Sequence, residues 1–386
     1  MSSNPAHSRG LALDLALQGG GAYGAFTWGV LDRLLEEEDI AIEGISGTSA
    51  GAMNGAMLKC GYARGGRRGA RELLSRFWES VGRIGAVLTP FDPPPTDVGL
   101  HLDQALRDVV TRIWSPYQLN PWNLNPLRWL LEDLVDVAAL TGQSGSMRLF
   151  VTATNVHTGR PRVFEGRELS LDALLASASL PSLFQAVEID GEPYWDGGYA
   201  GNPVLAPLVY HSRADDILIV QINPIKRDTT PRSSSDIANR INEITFNSSL
   251  IAELSAIRMA TELSRHLPPR ANANNPYHRL FLHLIGMPHP DGADLPDKMS
   301  LDLNFFRQLR DEGRAAMQGW LAANKDAIGL RSTLDIEDDT LYIHDIQAPR
   351  ERGQRAAAAK LTVKAPPGAG AASGASGEPG RADGPA

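Results

Sequence analysis

The sequence contains one cysteine, Cys60, among its 386 residues. A single cysteine cannot form an intramolecular disulfide or a thiolate metal cluster, so neither kind of cross-link can hold this fold together. We expect Cys60 to pack inside a helix rather than to act as a reactive thiol.

The sequence also lacks an excess of positive charge and a long apolar run. It has 37 Lys and Arg against 45 Asp and Glu, a formal net charge of -8, and no sustained basic stripe, which argues against a nucleic-acid partner. The apolar run from Leu11 to Leu17 is interrupted by Asp14 and is too short for a membrane span or a signal peptide. We therefore predict a cytoplasmic protein, with peripheral contact to a membrane left open.

The length and the local composition bound the domain organisation. The chain is long enough for one large α/β domain or two modest ones, and its apolar residues suffice for a substantial core. After about Pro349 the composition shifts to Ala, Gly, Pro, Ser and Arg, which cannot bury a core. We predict a flexible N-terminus over 1–10, one domain over 11–349 and a disordered tail over 350–386. Oligomeric state is left open.

The first sixty residues alternate strand and helix. The run from Leu11 to Leu17 predicts a buried parallel strand. A glycine loop follows, and apolar residues then recur at helical spacing from Phe26 to Leu35. A second strand is predicted from Ile40 to Ile45, and a helix of small residues from about Ala50 to Lys59. This order is strand, loop, helix, strand, turn, helix.

The turn after the second strand holds the sequence Gly47-Thr48-Ser49-Ala50-Gly51. Glycines two residues before and two after a serine allow a tight strand-to-helix turn that exposes its hydroxyl. The first N–H groups of the following helix, and the positive end of its dipole, point to where an oxyanion would form. A G-x-S-x-G match alone arises by chance in a glycine-rich chain. Its position between strand and helix makes Ser49 a candidate nucleophile.

The glycine loop Gly19-x-Gly21-x-x-Gly24 admits three interpretations. It fits a dinucleotide-binding fingerprint with Glu43 as the ribose ligand, which would make the protein a nucleotide-binding oxidoreductase. It also suits an oxyanion hole, because residues without side chains let backbone N–H groups approach an oxygen closely. A tight turn without a ligand is the third. We favour the oxyanion hole, since Glu43 falls inside the second strand and Ser49 occupies that strand's end.

Three further stretches are less specific. Between 88 and 126 prolines alternate with tryptophan and tyrosine, which suits a lid over an active cleft or a surface excursion packed on the body. Gly61 to Gly69 indicates a glycine/arginine loop, and Asp215-Asp216 a solvated strand entrance. Further elements are predicted at about 127–140, 147–154, 171–180, 217–222, 236–266, 277–285 and 303–324.

Asp196-Gly197-Gly198 lies in a turn-rich stretch and by itself indicates an ordinary turn. A Ser-His-Asp triad is an alternative, because several histidines follow Asp196 in the chain order of α/β hydrolases. These histidines are His211, His278, His283 and His344. None lies in a recognisable loop signature, and Ser49 comes unusually early for that fold, so the triad is the weaker hypothesis.

The three motifs, in the order in which they occur, resemble those of the patatin-like phospholipase family. The resemblance extends from Leu11 to about Asn324, and it includes the run Ala176 to Phe184 and the pair Asn202-Pro203. It implies an α/β fold of three layers, α/β/α, with a central, mostly parallel sheet and the nucleophile elbow after the second strand.

The resemblance also implies a role for each motif. Ser49 would be the nucleophile and Asp196 its base, with an oxyanion hole made by the backbone of Gly19, Gly20, Gly21 and Ala50. The glycines that support these motifs are Gly24, Gly47, Gly51, Gly197 and Gly198. In one departure, many members have Arg where this chain has Tyr23, so a fixed positive charge beside the oxyanion loop is missing.

The activity expected from these assignments is hydrolysis of carboxylic esters by a phospholipase A or lipid esterase through an acyl-enzyme intermediate. The chemistry requires no metal and no other cofactor. An esterase for soluble short-chain esters with the same dyad is the nearest alternative. The oxidoreductase and a catalytically silent binding protein of the same fold are the others. The expected partner is a lipid or other ester, and not a nucleic acid.

Overall fold

The computed structural model describes residues 10–88, 115–142, 147–272, 274–288, 298 and 300–334. Nearly all of the predicted N-terminal segment, most of the predicted lid over 88–126 and the predicted tail over 350–386 lie outside these residues. The described residues all belong to one compact unit, Met1–Tyr342, and a second unit, Ile343–Ala386, lies wholly outside them.

Eight strands of the described chain form one sheet. They are β1 (Leu11–Leu17), β2 (Ile40–Thr48), β3 (Arg148–Asn155), β4 (Pro161–Glu165), β5 (Val187–Ile189), β6 (Glu192–Asp196), β7 (Asp216–Gln221) and β8 (Phe281–Gly286). The order β3-β2-β1-β7-β8 is parallel throughout, whereas β4, β5 and β6 pair antiparallel with their neighbours. The prediction of a mostly parallel central sheet is confirmed.

Helices cover both faces of this sheet. They are α1 (Gly24–Leu34), α2 (Ala50–Leu88), α3 (Pro116–Leu119), α4 (Pro126–Leu134), α5 (Val137–Thr141), α6 (Leu171–Ser177), α7 (Ala206–His211), α8 (Ser234–Arg265), α9 (Pro269–Asn272) and α10 (Leu303–Asn324). Short 3-10 turns lie at Gly21–Tyr23, Gly166–Glu168, Gly197–Tyr199, Pro276–His278 and Lys325–Ala327. Within the described residues we find no helix with both the length and the apolar character needed to cross a bilayer.

Alternation along β1 shows how the sequence sets the layers. Leu13, Leu15 and Leu17 enter one buried cluster together with α1, α2 and α10. Ala16 points to the opposite face, where it joins a second cluster that includes residues of α7 and α8. Both faces of this strand are buried, as its nearly continuous apolar sequence predicts. The fold therefore has three layers, with the sheet between two layers of helices.

Pairing along β3 brings two distant parts of the chain together. Thr152 pairs with Thr48 of β2 and the next residue, Ala153, pairs with Asp196 of β6. Because β4 pairs with the same stretch of β3 along its other edge, β2 and β6 share one edge. Along this edge of β3, the pairing with β2 ends at Thr152 and the pairing with β6 begins at Ala153. Asp196 is therefore held beside the turn that follows Thr48.

The prediction of a loop over Gly61 to Gly69 is wrong. Helix α2 continues through this stretch and is interrupted only by a kink at Gly65 and Gly66, whose backbone angles are not helical. A Cβ on Gly61 would lie 2.5 Å from the carbonyl oxygen of Gly69. Gly61 and Gly69 thus allow the helical segments on either side of the kink to pack closely. Their role is in packing, and they do not mark a loop.

Cys60 is fully buried in α2, and its thiol lies 3.6 Å from the carbonyl oxygen of Asp136. Burial raises the pKa of this thiol to about 11. The thiolate form is therefore scarce at neutral pH, as expected for a cysteine that packs rather than reacts.

Candidate active site

Ser49 is the single residue between the end of β2 and the start of α2. Its φ of 53° lies in the left-handed region, which a residue with a side chain seldom adopts. The strained turn is held from both sides, because its N–H donates to Oγ of Ser177 at 2.9 Å and its carbonyl oxygen accepts from Met53 at 3.0 Å. Such strain is typical of a serine presented at a strand-to-helix turn.

The glycines of this turn permit close packing against β1. A Cβ on Gly51 would lie 2.2 Å from the carbonyl oxygen of Leu17, and one on Gly47 would lie 2.7 Å from the backbone of Gly51. No side chain fits in these gaps, so the start of α2 lies directly on the end of β1. The glycine loop after β1 is thereby placed next to Ser49. Gly24 ends that loop and is the first residue of α1.

Asp196, the last residue of β6, is fully buried. Its Oδ1 accepts a hydrogen bond from the N–H of Gly198 at 2.7 Å, within the 3-10 turn that begins at Gly197. Its main chain is also held, since its N–H donates to Ser179 at 2.8 Å and its carbonyl oxygen accepts from Thr154 at 2.8 Å. The remaining atom, Oδ2, has no hydrogen-bond partner among the described residues. A fixed carboxyl group thus keeps one oxygen unpaired.

Ser49 and Asp196 line the same cavity, which has a volume of about 230 Å³. Burial raises the pKa of Asp196 to about 7, against smaller lowering effects from Gly198 and from the Ser49 hydroxyl. The hydroxyl is close enough to act on the carboxyl, although the two side chains do not form a hydrogen bond of standard geometry and Oδ2 stays unpaired. A free Asp has a pKa of about 3.9, so this environment makes the carboxylate a much better proton acceptor.

Three backbone N–H groups around the cavity donate to no acceptor in the described part of the chain. They belong to Gly20 and Gly21 of the glycine loop and to Ala50 at the start of α2. Gly21 has a φ of 58°, which turns the loop at this point. The N–H of Gly19 is different, because it donates to Oδ1 of Asn202 at 2.6 Å. Gly19 was predicted to contribute to an oxyanion hole, but in this arrangement its amide is already engaged.

Side-chain amides clamp the glycine loop. The Asn202 side chain forms two hydrogen bonds with the backbone of Gly19: it accepts from the N–H and donates to the carbonyl oxygen at 3.2 Å. Asn223 donates to the same carbonyl oxygen at 2.7 Å. Gln18 accepts from the N–H of Asn223 at 3.0 Å and donates to Asn247 at 2.9 Å. These buried amides satisfy one another and fix the backbone from which Gly20 and Gly21 project.

Hydroxyl groups of β2 hold the segment that follows Asp196. Oγ of Ser46 donates to the carbonyl oxygen of Val204 at 2.6 Å, and Oγ1 of Thr48 donates to that of Gly201 at 2.7 Å. Both hydroxyls are fully buried. The strand that leads into Ser49 is therefore bonded directly to the chain that carries Asp196, which fixes the two side chains relative to one another.

Both apolar and polar side chains line the cavity. Its apolar lining, which we call the apolar wall, includes Met53, Phe77, Trp78, Val81, Leu180 and Phe306. Its polar lining besides Ser49 and Asp196, which we call the polar wall, consists of Asn239, Asn242, Lys298 and Ser300. A molecule with an apolar chain and a polar group would find suitable side chains for both in this cavity.

The histidines proposed for a triad lie elsewhere or outside the described residues. His283 is buried and its ring bonds Asp216 at 2.9 Å and Thr333 at 2.9 Å. His211 lines a separate cavity, and His278 is exposed. His344 lies outside the described residues. No histidine is among the described residues that line the cavity of Ser49.

The pairing of His283 corrects one prediction. Asp216 was expected to be solvated at the entrance of β7, but it is 2% exposed and also accepts from the N–H of Gly329 at 2.9 Å. Asp215, with a side chain 40% exposed, does face solvent and pairs with Arg279. Asp216 has a buried ring and a backbone amide as partners, and neither is evident from the local sequence.

Glu43 does not lie near the glycine loop. It belongs to the first half of β2 and lines a cavity of about 760 Å³ together with Arg148 at the start of β3. That position is at the amino ends of the parallel strands, whereas Ser49 is at their carboxyl ends. The carboxylate of Glu43 is therefore at the wrong edge of the sheet to bind a ribose held by the glycine loop.

Several residues that build the site were not predicted as functional. Ser177 lies in the run Ala176 to Phe184, for which no role was predicted, and Lys298 lies far from the motifs in sequence. Gln18 and Asn223 are different, because each follows closely after a parallel strand. Polar residues at the carboxyl ends of neighbouring parallel strands meet at one edge of the sheet, and this signal would have identified both.

Comparison with known proteins finds a family model that matches this chain. The family model described as patatin-like phospholipase matches residues 15–209, which include the glycine loop, the turn at Ser49 and Asp196. This match covers half of the chain. No curated protein matches the sequence.

Two solved structures also match this chain. The crystal structure of VipD from Legionella pneumophila matches with 15% identity and a TM-score of 0.38, over 81% of this chain and 67% of that one. The ExoU-SpcU complex of the type III secretion system of Pseudomonas aeruginosa matches with 17% identity and a TM-score of 0.35, over 92% of this chain. This chain spans 60% of the length of that second structure.

Proposed function

The chain belongs to the patatin-like phospholipase family of lipid ester hydrolases, and from this premise we propose that Ser49 and Asp196 form its catalytic dyad. The observation that supports the proposal best is the unpaired Oδ2 of Asp196, buried in the cavity that Ser49 also lines. A buried acceptor without a partner is costly. This cost has a functional reason if Oδ2 is the atom that accepts the proton of the Ser49 hydroxyl.

In the proposed reaction, Oγ of Ser49 attacks the carbonyl carbon of an ester while its proton passes to Asp196. The carbonyl oxygen becomes an oxyanion, and the C–O bond to the alcohol then breaks as Asp196 returns the proton to the leaving oxygen. Water repeats the sequence on the acyl-enzyme. It loses a proton to Asp196, attacks the acyl carbon and releases the carboxylic acid, and Ser49 recovers its proton.

The N–H groups of Gly20, Gly21 and Ala50 are proposed to bind the oxyanion. They have no acceptor in the described structure, and Ala50 adds the positive end of the α2 dipole. Donors of this kind each stabilise a transition state by about 2.7–4 kcal/mol. Because the clamp formed by Asn202 and Asn223 fixes the loop beforehand, little reorganisation is needed when the charge develops.

The substrate is proposed to be a lipid ester met at a membrane surface, in the cytoplasm. The apolar wall of the cavity suits an acyl chain. Leu127 belongs to that wall, and near it in the sequence lie Tyr117, Trp122 and Trp129, which are 56%, 81% and 59% exposed. Exposed aromatic rings are favourable at the boundary between water and lipid, so this segment suits peripheral contact.

The proposed function is tested by initial rates on esters that share one acyl chain. The series comprises a p-nitrophenyl ester, a short-chain phospholipid below its critical micelle concentration and the same phospholipid above it, in micelles. We expect hydrolysis of all three, with the highest rate in micelles. Hydrolysis of the soluble ester alone would favour the soluble esterase. No hydrolysis together with saturable NAD(H) binding would overturn the proposal in favour of the oxidoreductase.

The activity should depend on pH through Asp196. The base must be deprotonated to accept the Ser49 proton, and burial raises the pKa of Asp196 to about 7. We expect kcat/KM to be constant above this pKa and to fall about tenfold per pH unit below it. The same profile should persist in His211→Gln and His278→Gln, which change exposed histidines. A profile that remains flat down to pH 5 would contradict Asp196 as the base.

Asn202 is expected to act as a positioning residue. Asn202→Ala removes both hydrogen bonds to Gly19, so the loop that carries Gly20 and Gly21 should loosen. We expect kcat to fall by roughly 10–100-fold with KM nearly unchanged, since small misplacements of catalytic groups cost about this much. Asn275→Ala, at a remote helix cap, is the matched control. Loss of thermal stability with kcat preserved would assign Asn202 a structural role only.

A further inference from the structure

We propose that Lys298 is a specificity-determining residue that binds the anionic phosphate of a phospholipid head group. The proposal rests on the proposed function, and it identifies which part of the substrate faces the polar wall of the cavity. Of the described residues that line the cavity, Lys298 is the one with a positive charge and Asp196 the one with a carboxylate. The two lie on the same cavity, so an ester in reach of Ser49 has a cation beside it.

Lys298 contacts the oxyanion loop directly through its backbone. Its carbonyl oxygen accepts from the N–H of Ala22 at 2.8 Å, and a Cβ on Gly21 would lie 2.3 Å from that oxygen. Its ammonium group lies 5.7 Å from the centre of the Tyr23 ring and donates to Oδ1 of Asn223 at 2.8 Å. Lys298 therefore places a positive charge beside the ring of Tyr23, at the loop that carries Gly21.

A buried carboxylate lies close to Lys298 and to two arginines. The ammonium group of Lys298 lies 3.9 Å from Glu243, whose carboxylate is also bonded to Arg227 at 2.5 Å and to Arg240 at 3.1 Å. Among the described residues, one buried carboxylate thus has three cations around it. The Lys298 side chain is 12% exposed, so water screens its charge less than at an open surface.

The rest of the polar wall suits the same ligand. Asn239 and Asn242 precede Glu243 on α8, and Ser300 follows Lys298 closely. Amide and hydroxyl donors that line one cavity together with an ammonium group are typical of phosphate recognition, in which charge attracts the anion and neutral donors orient it. A phosphodiester has several acceptor oxygens for these donors, whereas a neutral glyceride offers no charge to the cation.

The experiment compares hexanoyl esters with and without an anionic phosphate, as monomers below any critical micelle concentration. The substrates are dihexanoyl phosphatidylglycerol, dihexanoyl glycerol and p-nitrophenyl hexanoate. Lys298→Met keeps the side-chain length and removes the charge, and Lys298→Arg restores the charge. The matched control is Lys226→Met, which removes the same charge from a side chain 68% exposed and paired with Asp228.

We expect Lys298→Met to lower kcat/KM for the phospholipid by roughly 10–100-fold, the loss expected for one hydrogen-bonded charge pair. Because Lys298 also donates to Asn223, the two uncharged esters should lose some activity, but the loss on the phospholipid should be at least threefold larger, and Lys298→Arg should recover most of it. Lys226→Met should behave as wild type. An equal loss on all three esters would overturn the proposal, because it would mean that Lys298 acts through the oxyanion loop. No loss on the phospholipid would overturn it as well.

A binding measurement separates this proposal from the proposed function. Calorimetric titration with the dihexyl ether analogue of phosphatidylglycerol, which has no ester to cleave, requires no turnover. We expect Kd to rise at least tenfold in Lys298→Met and to stay constant in Lys226→Met. If the wild-type protein cleaved none of the esters while Lys298→Met still raised Kd relative to Lys226→Met, the esterase would be refuted and the phosphate site retained. Equal Kd values in the two variants would refute the phosphate site.

Discussion

Replacement of Ser49 by alanine is expected to abolish ester hydrolysis, with kcat reduced by about 10⁴–10⁶-fold, as is usual when a catalytic nucleophile is removed. The reason is that no acyl-enzyme can form without Oγ, and the oxyanion donors alone give little turnover. Initial rates on p-nitrophenyl hexanoate measure the loss. Ser75→Ala, which changes a hydroxyl on the outer part of α2, should retain wild-type activity.

The Ser49→Ala protein should remain folded. Its side chain is small, and the turn is held through the main chain by Ser177 and Met53. The unfolding midpoint should therefore stay within a few degrees of wild type. If a folded Ser49→Ala protein hydrolysed the ester at a tenth of the wild-type rate or more, the nucleophile would have to be another residue.

The second large effect is expected for Asp196→Asn. An amide has nearly the shape of a carboxylate and can still accept from Gly198 through its oxygen, but it cannot take a proton from Ser49. We expect kcat to fall by about 10⁴-fold, the loss known when an aspartate is changed in this way in a serine hydrolase. Asp190→Asn is the matched control, because Asp190 lies in an exposed turn with a φ of 53° that asparagine tolerates.

Asp196→Asn also separates the dyad from a triad. If a histidine were the base, it would still accept the Ser49 proton in this variant, and much of the activity would remain. Activity within tenfold of wild type would therefore favour such a histidine, and variants of His211, His278, His283 and His344 would identify it. Circular dichroism separates loss of the base from loss of folding as the cause of lost activity. We expect the native spectrum for Asp196→Asn.

The part of the site that lies in the first sixty residues could be predicted, because the sequence patterns that indicate it are local. The apolar run of β1, the glycine loop and the turn at Ser49 each depend on residues adjacent in sequence, and their order predicts strand, helix and elbow. Asp196 is different. Its Asp-Gly-Gly sequence indicates only a turn, and what brings it to Ser49 is the pairing of β3 with both β2 and β6. Only the family resemblance supplied that long-range contact before the fold was known.

Other features could not be predicted, for physical reasons. Strands β4, β5 and β6 are 5, 3 and 5 residues long, too short for a periodic pattern. The several glycines near Gly65 predict a loop, because glycine is conformationally free. Close packing between two helical segments also requires glycine, so glycine content alone does not distinguish the two structures. The raised pKa of Asp196 depends on burial by the whole fold, which composition does not reveal.

The measurement that tests the central claim most directly is the identification of the residue labelled by a fluorophosphonate, by mass spectrometry of peptides from the intact protein. We predict a single adduct on Ser49, formed at least a hundredfold more slowly in Asp196→Asn and with Asp190→Asn unaffected. An adduct on a different serine, or labelling of Ser49 at the same rate in Asp196→Asn, would contradict the Ser49–Asp196 dyad.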